Sequence, residues 1–326
     1  MERADRRARD EAIDAFLRAS HWADAERAPL AGDASFRRYE RVRRNDASAV
    51  LMDAPPEKED VRPFVHIARI LRGHGLLAPQ ILAEDAEQGL LLLEDLGDNL
   101  FARVLARDIS LEQTLYEAAI DVLTALKDRP LPSDVPAYSD EKLLQESALF
   151  CEWCVAPALG RDAGEDARAT LAECLLPLVR QSREVPEMLV LRDYHAENLI
   201  WMPDGQVGLL DFQDAVLGPC TYDLVSLLED ARRDVPRELA TRMKDRFFAT
   251  LSGVARETFD ASYAILGAQR NLKIIGIFNR LSKRDGKEHY LNLIPRVAAH
   301  LEHDLAHPAL APLKDWLKPW RSVLPS

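Results

Sequence analysis

The sequence is poor in cysteine and lacks any long hydrophobic run. Its four cysteines are too few to build a disulfide framework in a chain of 326 residues, so we expect reduced thiols. No apolar stretch approaches the roughly 18 residues that a membrane-spanning helix needs. Charged residues also interrupt the N-terminus where a signal peptide would have its apolar core. We therefore expect a cytoplasmic protein.

An excess of positive charge is also missing. The chain has 42 basic and 54 acidic residues, a formal charge of −12, so no overall field favours nucleic acid or an anionic membrane. Hydrophobic residues at 47% and charged residues at 29% are typical of a folded globular protein. We therefore expect a folded monomer whose partner is a small molecule, with no nucleic-acid or membrane partner.

Two patterns that suggest zinc lack the spacing that a zinc site needs. Cys151 and Cys154 form a C-x-x-C in an apolar helical stretch, with no second ligand pair beside them. His300, His303 and His307 share one face of a predicted helix. The first and last of these lie roughly 10 Å apart along the helix axis, too far to share one ion. Buried thiols and surface histidines are the expected outcome.

The length of the chain exceeds the size at which one hydrophobic core usually stops growing, so two lobes are expected. An amphipathic helix at 5–19 and a second at 57–73 alternate with short strand-like segments and tight turns. The character then changes to long helices. This composition predicts an N-terminal sheet lobe at residues 1–97 and a larger helical lobe at residues 98–326.

The second half is helical except for one strand-rich island. A capping-box pattern, Ser110-x-x-Gln113, predicts the start of a helix, and further helices are predicted at 140–159 and 164–183. The island MLVLRDYHAENLIWMPDGQVGLLDFQD follows, with turn chemistry at Pro203-Asp204-Gly205 that predicts a hairpin. The whole pattern indicates an α+β fold with a crevice where the lobes join.

Three oxygen-bearing side chains of this island form the candidate catalytic group. Asp193 and Asn198 lie five residues apart between two predicted strands, and the hairpin brings Asp211 back towards them. Phosphoryl transfer needs a base for the attacking hydroxyl and hard oxygen ligands for Mg²⁺. We therefore predict Asp193 as the base, Asn198 and Asp211 as Mg²⁺ ligands, and ATP as the donor. The alternative is a set of solvated loop carboxylates that cap turns.

Two neighbouring residues have open roles. His195 orients Asp193, contacts substrate, or is a structural histidine. Asp223 follows Gly218-Pro219 near the start of a predicted helix, where a cap that braces the catalytic loop is expected.

The segments LRDYHAENLI and GLLDFQDAVLGPCTYDLVSLLEDAR resemble the catalytic core of the aminoglycoside phosphotransferase and choline kinase superfamily. The resemblance implies a protein-kinase-like two-lobe fold, with a small antiparallel-sheet N-lobe that binds ATP and a larger, mainly helical C-lobe. It also implies ATP and Mg²⁺ as cofactors, with Asp193 as base and Asn198 and Asp211 as metal ligands. A protein kinase is disfavoured, because DFQD stands where D-F-G would be and no A-P-E follows.

The resemblance implies two groups of nucleotide-binding residues. The phosphate loop comprises Gly32, Asp33, Ala34, Ser35 and Phe36, with Arg37 beside it. The hinge that holds adenine through its backbone comprises Glu94, Asp95 and Leu96. An ordinary hairpin turn and a simple strand end are the respective alternatives.

One departure from the superfamily pattern concerns phosphate binding. The resemblance implies a lysine on the third strand, where this sequence has Met52. Arg37, Arg38 or Lys58 could replace its charge. A non-catalytic, nucleotide-binding pseudokinase therefore stays an alternative, because losing a phosphate clamp weakens transition-state stabilisation.

Further segments, LAGDASFRRYERV and FNRLSKRDGKEHYLNLIPRV, resemble the bacterial amino-sugar kinases of cell-wall recycling. That likeness implies phosphorylation of the anomeric hydroxyl of N-acetylmuramate and N-acetylglucosamine. Asp214 could then bind sugar hydroxyls, and Arg280 could bind the lactyl carboxylate of N-acetylmuramate or lie on a solvated basic helix end. An aminoglycoside, choline or homoserine kinase is the alternative.

Overall fold

The computed structural model describes residues 2–30 and 36–324, with side chains from residue 7 onward. The strands in chain order are β1 (Glu26–Pro29), β2 (Arg38–Arg44), β3 (Ala47–Asp53), β4 (Ile81–Asp85), β5 (Leu90–Glu94), β6 (Glu187–Val190), β7 (Leu199–Trp201), β8 (Val207–Leu209) and β9 (Val216–Pro219). The helices are α1 (Glu2–Ala19), α2 (Arg62–Gly73), α3 (Phe101–Arg107), α4 (Glu112–Lys127), α5 (Asp140–Ser147), α6 (Ala156–Leu159), α7 (Arg161–Gln181), α8 (Thr221–Leu228), α9 (Arg237–Phe248), α10 (Arg256–Asp285), α11 (Ile294–Asp304) and α12 (Ala311–Leu317).

The first compact unit comprises Met1–Arg103 and Asn198–Asp214. Its main sheet has five antiparallel strands in the order β1-β2-β3-β5-β4. Alternate residues of the central strands point to one face, where α1 covers them and completes a hydrophobic core. That core consists of Ile13, Phe16, Leu17, Val42, Ala49, Leu51, Leu90 and Leu92.

The β7–β8 hairpin belongs to this first unit. Leu209 donates its N–H to the carbonyl of Leu77 at 2.8 Å, and Trp201 donates to the carbonyl of Asn99 at 2.8 Å. A Cβ built on Gly208 would lie 2.9 Å from Leu96 Cδ1, so Leu96 packs directly on the hairpin backbone. The predicted lobe boundary at residue 97 lies near the end of the first segment of this unit, and the hairpin residues join that unit as a second segment.

The second compact unit comprises Val104–Glu197 and Ala215–Ser326. It is mainly helical and contains one two-stranded antiparallel sheet, β6 with β9. Helix α10 spans 30 residues and is buried along most of its length. It ends at Gly286, whose φ of 67° is the left-handed conformation that glycine adopts at helix ends.

The predicted α+β fold, with a small antiparallel sheet followed by a mainly helical region, is confirmed. The capping-box prediction was wrong: Ser110 lies in a short 3-10 turn before α4, and its N–H donates to the side chain of Asp108 at 3.0 Å. The helix predicted at 140–159 begins and ends where predicted, but it is divided: a π-helical segment, Cys151–Val155, separates α5 from α6.

Within residues 2–30 and 36–324, no helix is both long and apolar enough to cross a membrane. All four cysteines are free thiols, and Cys151 and Cys154 are buried in the π-helical segment. Burial raises the pKa of each of these two thiols to about 12, so both are protonated at neutral pH.

The packing of α10 predicts a strong effect at Gly276. A Cβ at this position would lie 2.6 Å from the carbonyl oxygen of Leu149, a backbone atom that cannot rotate away. We expect Gly276→Ala to destabilise the protein by about 1–3 kcal/mol through overpacking, measured as a lower melting temperature.

The matched control for Gly276→Ala is Gly73→Ala. Gly73 also lies in a helix, α2, but a Cβ there meets no atom within 4 Å. We expect this change to stabilise by up to about 0.5–1 kcal/mol, because alanine is the better helix former. Equal melting temperatures for the two variants would contradict the close packing at Gly276.

Candidate active site

The β7–β8 hairpin positions two of the predicted catalytic residues in the first unit. Leu199 pairs with Leu209, and the N–H of Leu210 donates to the carbonyl of Asn198 at 2.9 Å, which extends the ladder by one step. Asp211 is the next residue. Asn198 and Asp211 therefore stand at the same end of a short, hydrogen-bonded ribbon.

The backbone turns sharply at Asp211, where φ is 55°, a left-handed value that non-glycine residues seldom adopt. The following side chain, Phe212, is fully buried and stacks on Phe64 of α2 with 4.8 Å between ring centroids. Burial of the Phe212 ring thus helps to hold the turn that presents the Asp211 carboxylate. Backbone strain of this kind is common at functional sites.

The surroundings of Asp211 fit a hard cation. Its carboxylate is partly exposed and accepts a hydrogen bond from Gln213 Nε2 at 2.9 Å. Among the described residues, no group of three or more histidine, cysteine, aspartate or glutamate side chains could hold a metal. Asn198 and Asp211 supply one amide and one carboxylate oxygen, a donor set that suits Mg²⁺ completed by phosphate oxygens and water.

The predicted phosphate loop falls mostly outside the described part of the chain. Gly32, Asp33, Ala34 and Ser35 lie outside the described residues. Phe36 is 61% exposed, and Lys58 Nζ lies 4.7 Å from the centroid of its ring.

Arg37 follows Phe36 and lies between two carboxylates of the first unit. Its Nε is 3.8 Å from Glu59 Oε2, and its Nη1 is 3.9 Å from Asp211 Oδ1. Burial by itself lowers the pKa of Arg37, but Tyr39 in its ionised form and the carboxylates of Asp211 and Glu59 raise the pKa above its ordinary value. The guanidinium therefore remains charged.

The predicted hinge residues follow β5. Glu94 accepts hydrogen bonds from the backbone N–H of Gln80 at 3.0 Å and from Arg72 at 3.2 Å. Asp95 binds Arg41 at 2.7 and 3.0 Å. Both carboxylates are engaged within the protein, the N–H of Glu94 donates to the carbonyl of Gln80 at 2.8 Å, and Leu96 is buried, so the adenine hinge stays a prediction.

Residues 191–197 of the predicted catalytic loop belong to the second unit, and a buried carboxylate shapes the start of this segment. Asp223 of α8 is fully buried and accepts hydrogen bonds from the backbone N–H groups of Leu191 and Arg192, at 2.6 and 2.9 Å. Asp223 was predicted to brace this loop as a cap: the hydrogen bonds to the loop are present, but Asp223 lies within α8, whose N-cap residue is Cys220. Burial raises the pKa of Asp223 to about 7, although the two backbone hydrogen bonds oppose that rise. Arg192 has a left-handed φ of 71°, so the backbone changes direction immediately before Asp193.

Cations keep Asp193 ionised. Burial by itself raises the pKa of this carboxyl, but Lys273, then His195 in its protonated form, Arg192 and Arg270 together hold the pKa below its usual value. Lys273 makes the largest favourable contribution. An ionised carboxylate at neutral pH is the state that a general base requires.

Lys273 is a functional candidate that the sequence reasoning missed. Its Nζ lies 3.0 Å from Glu146 Oε2, and the same carboxylate binds Arg192 and the hydroxyl of Tyr138. Lys273 directly precedes the apolar run IIGIF. A charged residue next to such a run in a predicted helix was the sequence feature that could have indicated a buried, functional lysine. Which residues it faces could not be read from the sequence, because Glu146 and Arg192 are distant in the chain.

The side chain of His195, a residue of this loop, points into the protein interior rather than towards solvent. It is 4% exposed, and its Nε2 is 3.2 Å from Arg232 Nη1. Since arginine can only donate, Nε2 accepts and the proton lies on Nδ1. Burial and the nearby Arg232 lower the pKa of His195 to about 4, although Asp230 opposes them, so the ring is neutral at neutral pH. Arg232 also pairs with Glu197 at 2.8 Å. This buried placement is typical of a structural histidine, and a role in orienting Asp193 or contacting substrate stays a prediction.

The remaining predicted substrate residues are accessible. Asp214 is exposed and lies 3.3 Å from Gln213 Nε2 in the first unit. Arg280 is partly exposed on α10, and it forms no ion pair with any residue that the structure describes. By contrast, Arg284 one turn later pairs with Asp285 at 2.7 Å.

These features define a class of protein. The fold combines a small antiparallel sheet with a helical region, and the residues suit Mg²⁺ and a base. The chain belongs to the phosphotransferase enzyme family, whose model matches residues 26–257. The superfamily resemblance noted in the catalytic segments is therefore confirmed.

The sequence similarity to two named relatives covers nearly the whole chain. An N-acetylmuramate/N-acetylglucosamine kinase from Caulobacter vibrioides is 40% identical, covering 94% of this chain and 95% of the relative. An enzyme of the same name from Pseudomonas aeruginosa is 39% identical, covering 94% of this chain and 93% of the relative.

Solved structures share the fold. Choline kinase LicA from Streptococcus pneumoniae matches with a TM-score of 0.64 at 14% identity, covering 90% of this chain and 99% of that chain. The ADP-bound aminoglycoside phosphotransferase APH(2'')-Ib matches with a TM-score of 0.62 at 14% identity, covering 88% of this chain and 95% of that chain. At these identities the likeness shows the fold alone.

Proposed function

We propose that this protein is an ATP- and Mg²⁺-dependent kinase that phosphorylates the anomeric hydroxyl of N-acetylmuramate and N-acetylglucosamine, a reaction of cell-wall recycling. The observation that carries the proposal is the 39–40% identity, over more than nine-tenths of the chain, to two kinases named for these sugars. The hydrogen-bonded ribbon that presents Asn198 and Asp211, and the ionised state of Asp193, support it.

In the proposed mechanism, Asp193 accepts the proton of the sugar O1 hydroxyl as O1 forms its bond to the γ-phosphorus of ATP. The bond between that phosphorus and the bridging oxygen breaks, and ADP leaves with the electron pair. An anomeric hydroxyl is more acidic than an ordinary alcohol, so a carboxylate of low pKa suffices as base. Asn198 and Asp211 would hold Mg²⁺, which supplies neutralisation of phosphate charge.

The first test is product analysis with ATP, Mg²⁺ and each amino sugar. We expect a phosphorus NMR signal coupled to the anomeric proton. Asp193→Asn should lower kcat by at least about 100-fold, the usual size of general-base catalysis. Asp204→Asn is the matched control, because Asp204 is an exposed carboxylate in the hairpin turn.

Two outcomes of this test would contradict the proposal. Phosphorylation of an aminoglycoside, choline or homoserine, with no amino-sugar product, would favour the alternative kinase. ATP binding without any phosphorylated product would favour a pseudokinase.

The second prediction concerns Lys273 and pH. Activity requires ionised Asp193 and is lost as pH falls through its pKa. Because Lys273 lowers that pKa, Lys273→Met should raise it and move the acidic limb of the kcat/KM profile to higher pH. Lys273→Arg keeps the charge and should shift the limb less. An unchanged acidic limb in Lys273→Met would refute the electrostatic role.

The third prediction concerns selection between the two sugars. N-acetylmuramate carries a carboxylate that N-acetylglucosamine lacks, and we propose that Arg280 binds it. Arg280→Gln should raise KM roughly ten- to hundredfold for N-acetylmuramate alone, as expected for loss of a charge-assisted hydrogen bond. Arg284→Gln, one turn away and paired with Asp285, is the control. Equal changes for both sugars would exclude this role.

A further inference from the structure

Arg37 occupies an unusual electrostatic position in the first unit. Its side chain is 12% exposed and lies between Glu59, just before α2, and Asp211, at the end of the hairpin. The separations of 3.8 and 3.9 Å are those of ion pairs without a direct hydrogen bond. Two carboxylates from different elements thus hold one guanidinium beside the proposed Mg²⁺ ligand.

A nucleotide at this place would need a cation from the protein. Asp211 and Asp214 add negative charge, and a triphosphate with its metal would still carry net negative charge. The third strand supplies no cation, because its Met52 is apolar and fully buried. Phosphotransferase sites commonly balance this charge with a basic side chain that a glutamate holds in place.

The other two basic candidates have other partners. Arg38 pairs with Asp53 at 2.9 Å, and its side chain is 60% exposed. Lys58 lies over the exposed ring of Phe36. Of the three, the structure brings only Arg37 into an ion pair with Asp211 among the described residues.

We propose that Arg37 binds the α- and β-phosphates of ATP, with Glu59 positioning its guanidinium. This inference rests on the proposed function, since it assumes that ATP binds here. A guanidinium suits the task because its planar fork of N–H donors matches two phosphate oxygens at once. Glu59 limits the positions that the long side chain can adopt, which reduces the entropy lost when a phosphate binds.

The test is calorimetric binding of MgATP and of adenosine to the full chain. Arg37→Ala should weaken MgATP binding roughly ten- to hundredfold, the loss expected for charge-assisted hydrogen bonds, and leave adenosine binding unchanged. Arg37→Lys should fall between wild type and Arg37→Ala, and Glu59→Gln should weaken MgATP binding by a smaller factor. Arg38→Ala is the matched control and should bind both ligands as wild type does.

The outcomes separate this inference from the proposed function. If Arg37→Ala binds MgATP as wild type does, or if Arg38→Ala shows the loss instead, the inference is overturned. Equal loss of adenosine and MgATP in Arg37→Ala would also overturn it, because it would indicate a damaged fold. If wild type binds MgATP but phosphorylates no acceptor, the proposed function fails, and the binding comparison still decides the role of Arg37.

Discussion

The candidate site depends on one constraint. Its functional carboxylates must stay ionised although protein atoms displace the water around them. Burial alone favours the neutral acid, so each functional carboxylate needs a compensating charge or donor. Asp193 has Lys273, Arg192 and Arg270, and its pKa falls. Asp223, fully buried and held mainly by backbone N–H groups, has a pKa of about 7. The two aspartates are thereby suited to different tasks, proton acceptance for Asp193 and loop support for Asp223.

The same constraint explains why α10 carries several buried polar side chains. Gln269, Arg270, Asn271 and Lys273 follow one another closely in a helix that otherwise fills the core of the second unit. Burying such groups is costly unless each finds a partner. Asn271 Nδ2 donates to Glu229 and Lys273 pairs with Glu146, so these two side chains have partners on other segments of the second unit. Helix α10 therefore contributes both to the hydrophobic core of the second unit and to the lowered pKa of Asp193.

In the first unit, the paired backbone of the β7–β8 hairpin and the buried ring of Phe212 hold the predicted metal ligands in place. The β7–β8 ladder fixes Asn198 relative to the residue before Asp211, and the stack of Phe212 on Phe64 holds the turn. Arg37 then compensates the charge of Asp211. Rigid support from both backbone pairing and aromatic burial keeps an unusual backbone conformation in place, which a solvated loop could not do.

Local patterns in the sequence determined the strands, the hairpin and the spacing of Asp193, Asn198 and Asp211, because period-two alternation and turn chemistry act over a few residues. The capping-box prediction failed because a neighbouring side chain competed for the same donor: the N–H of Ser110 donates to Asp108 instead of Gln113. Only the tertiary structure decided that Lys273 lies close enough to lower the pKa of Asp193, and that Arg37, rather than Arg38, pairs with Asp211. Charge acts through space, and residues far apart in the chain become neighbours only when the core is packed.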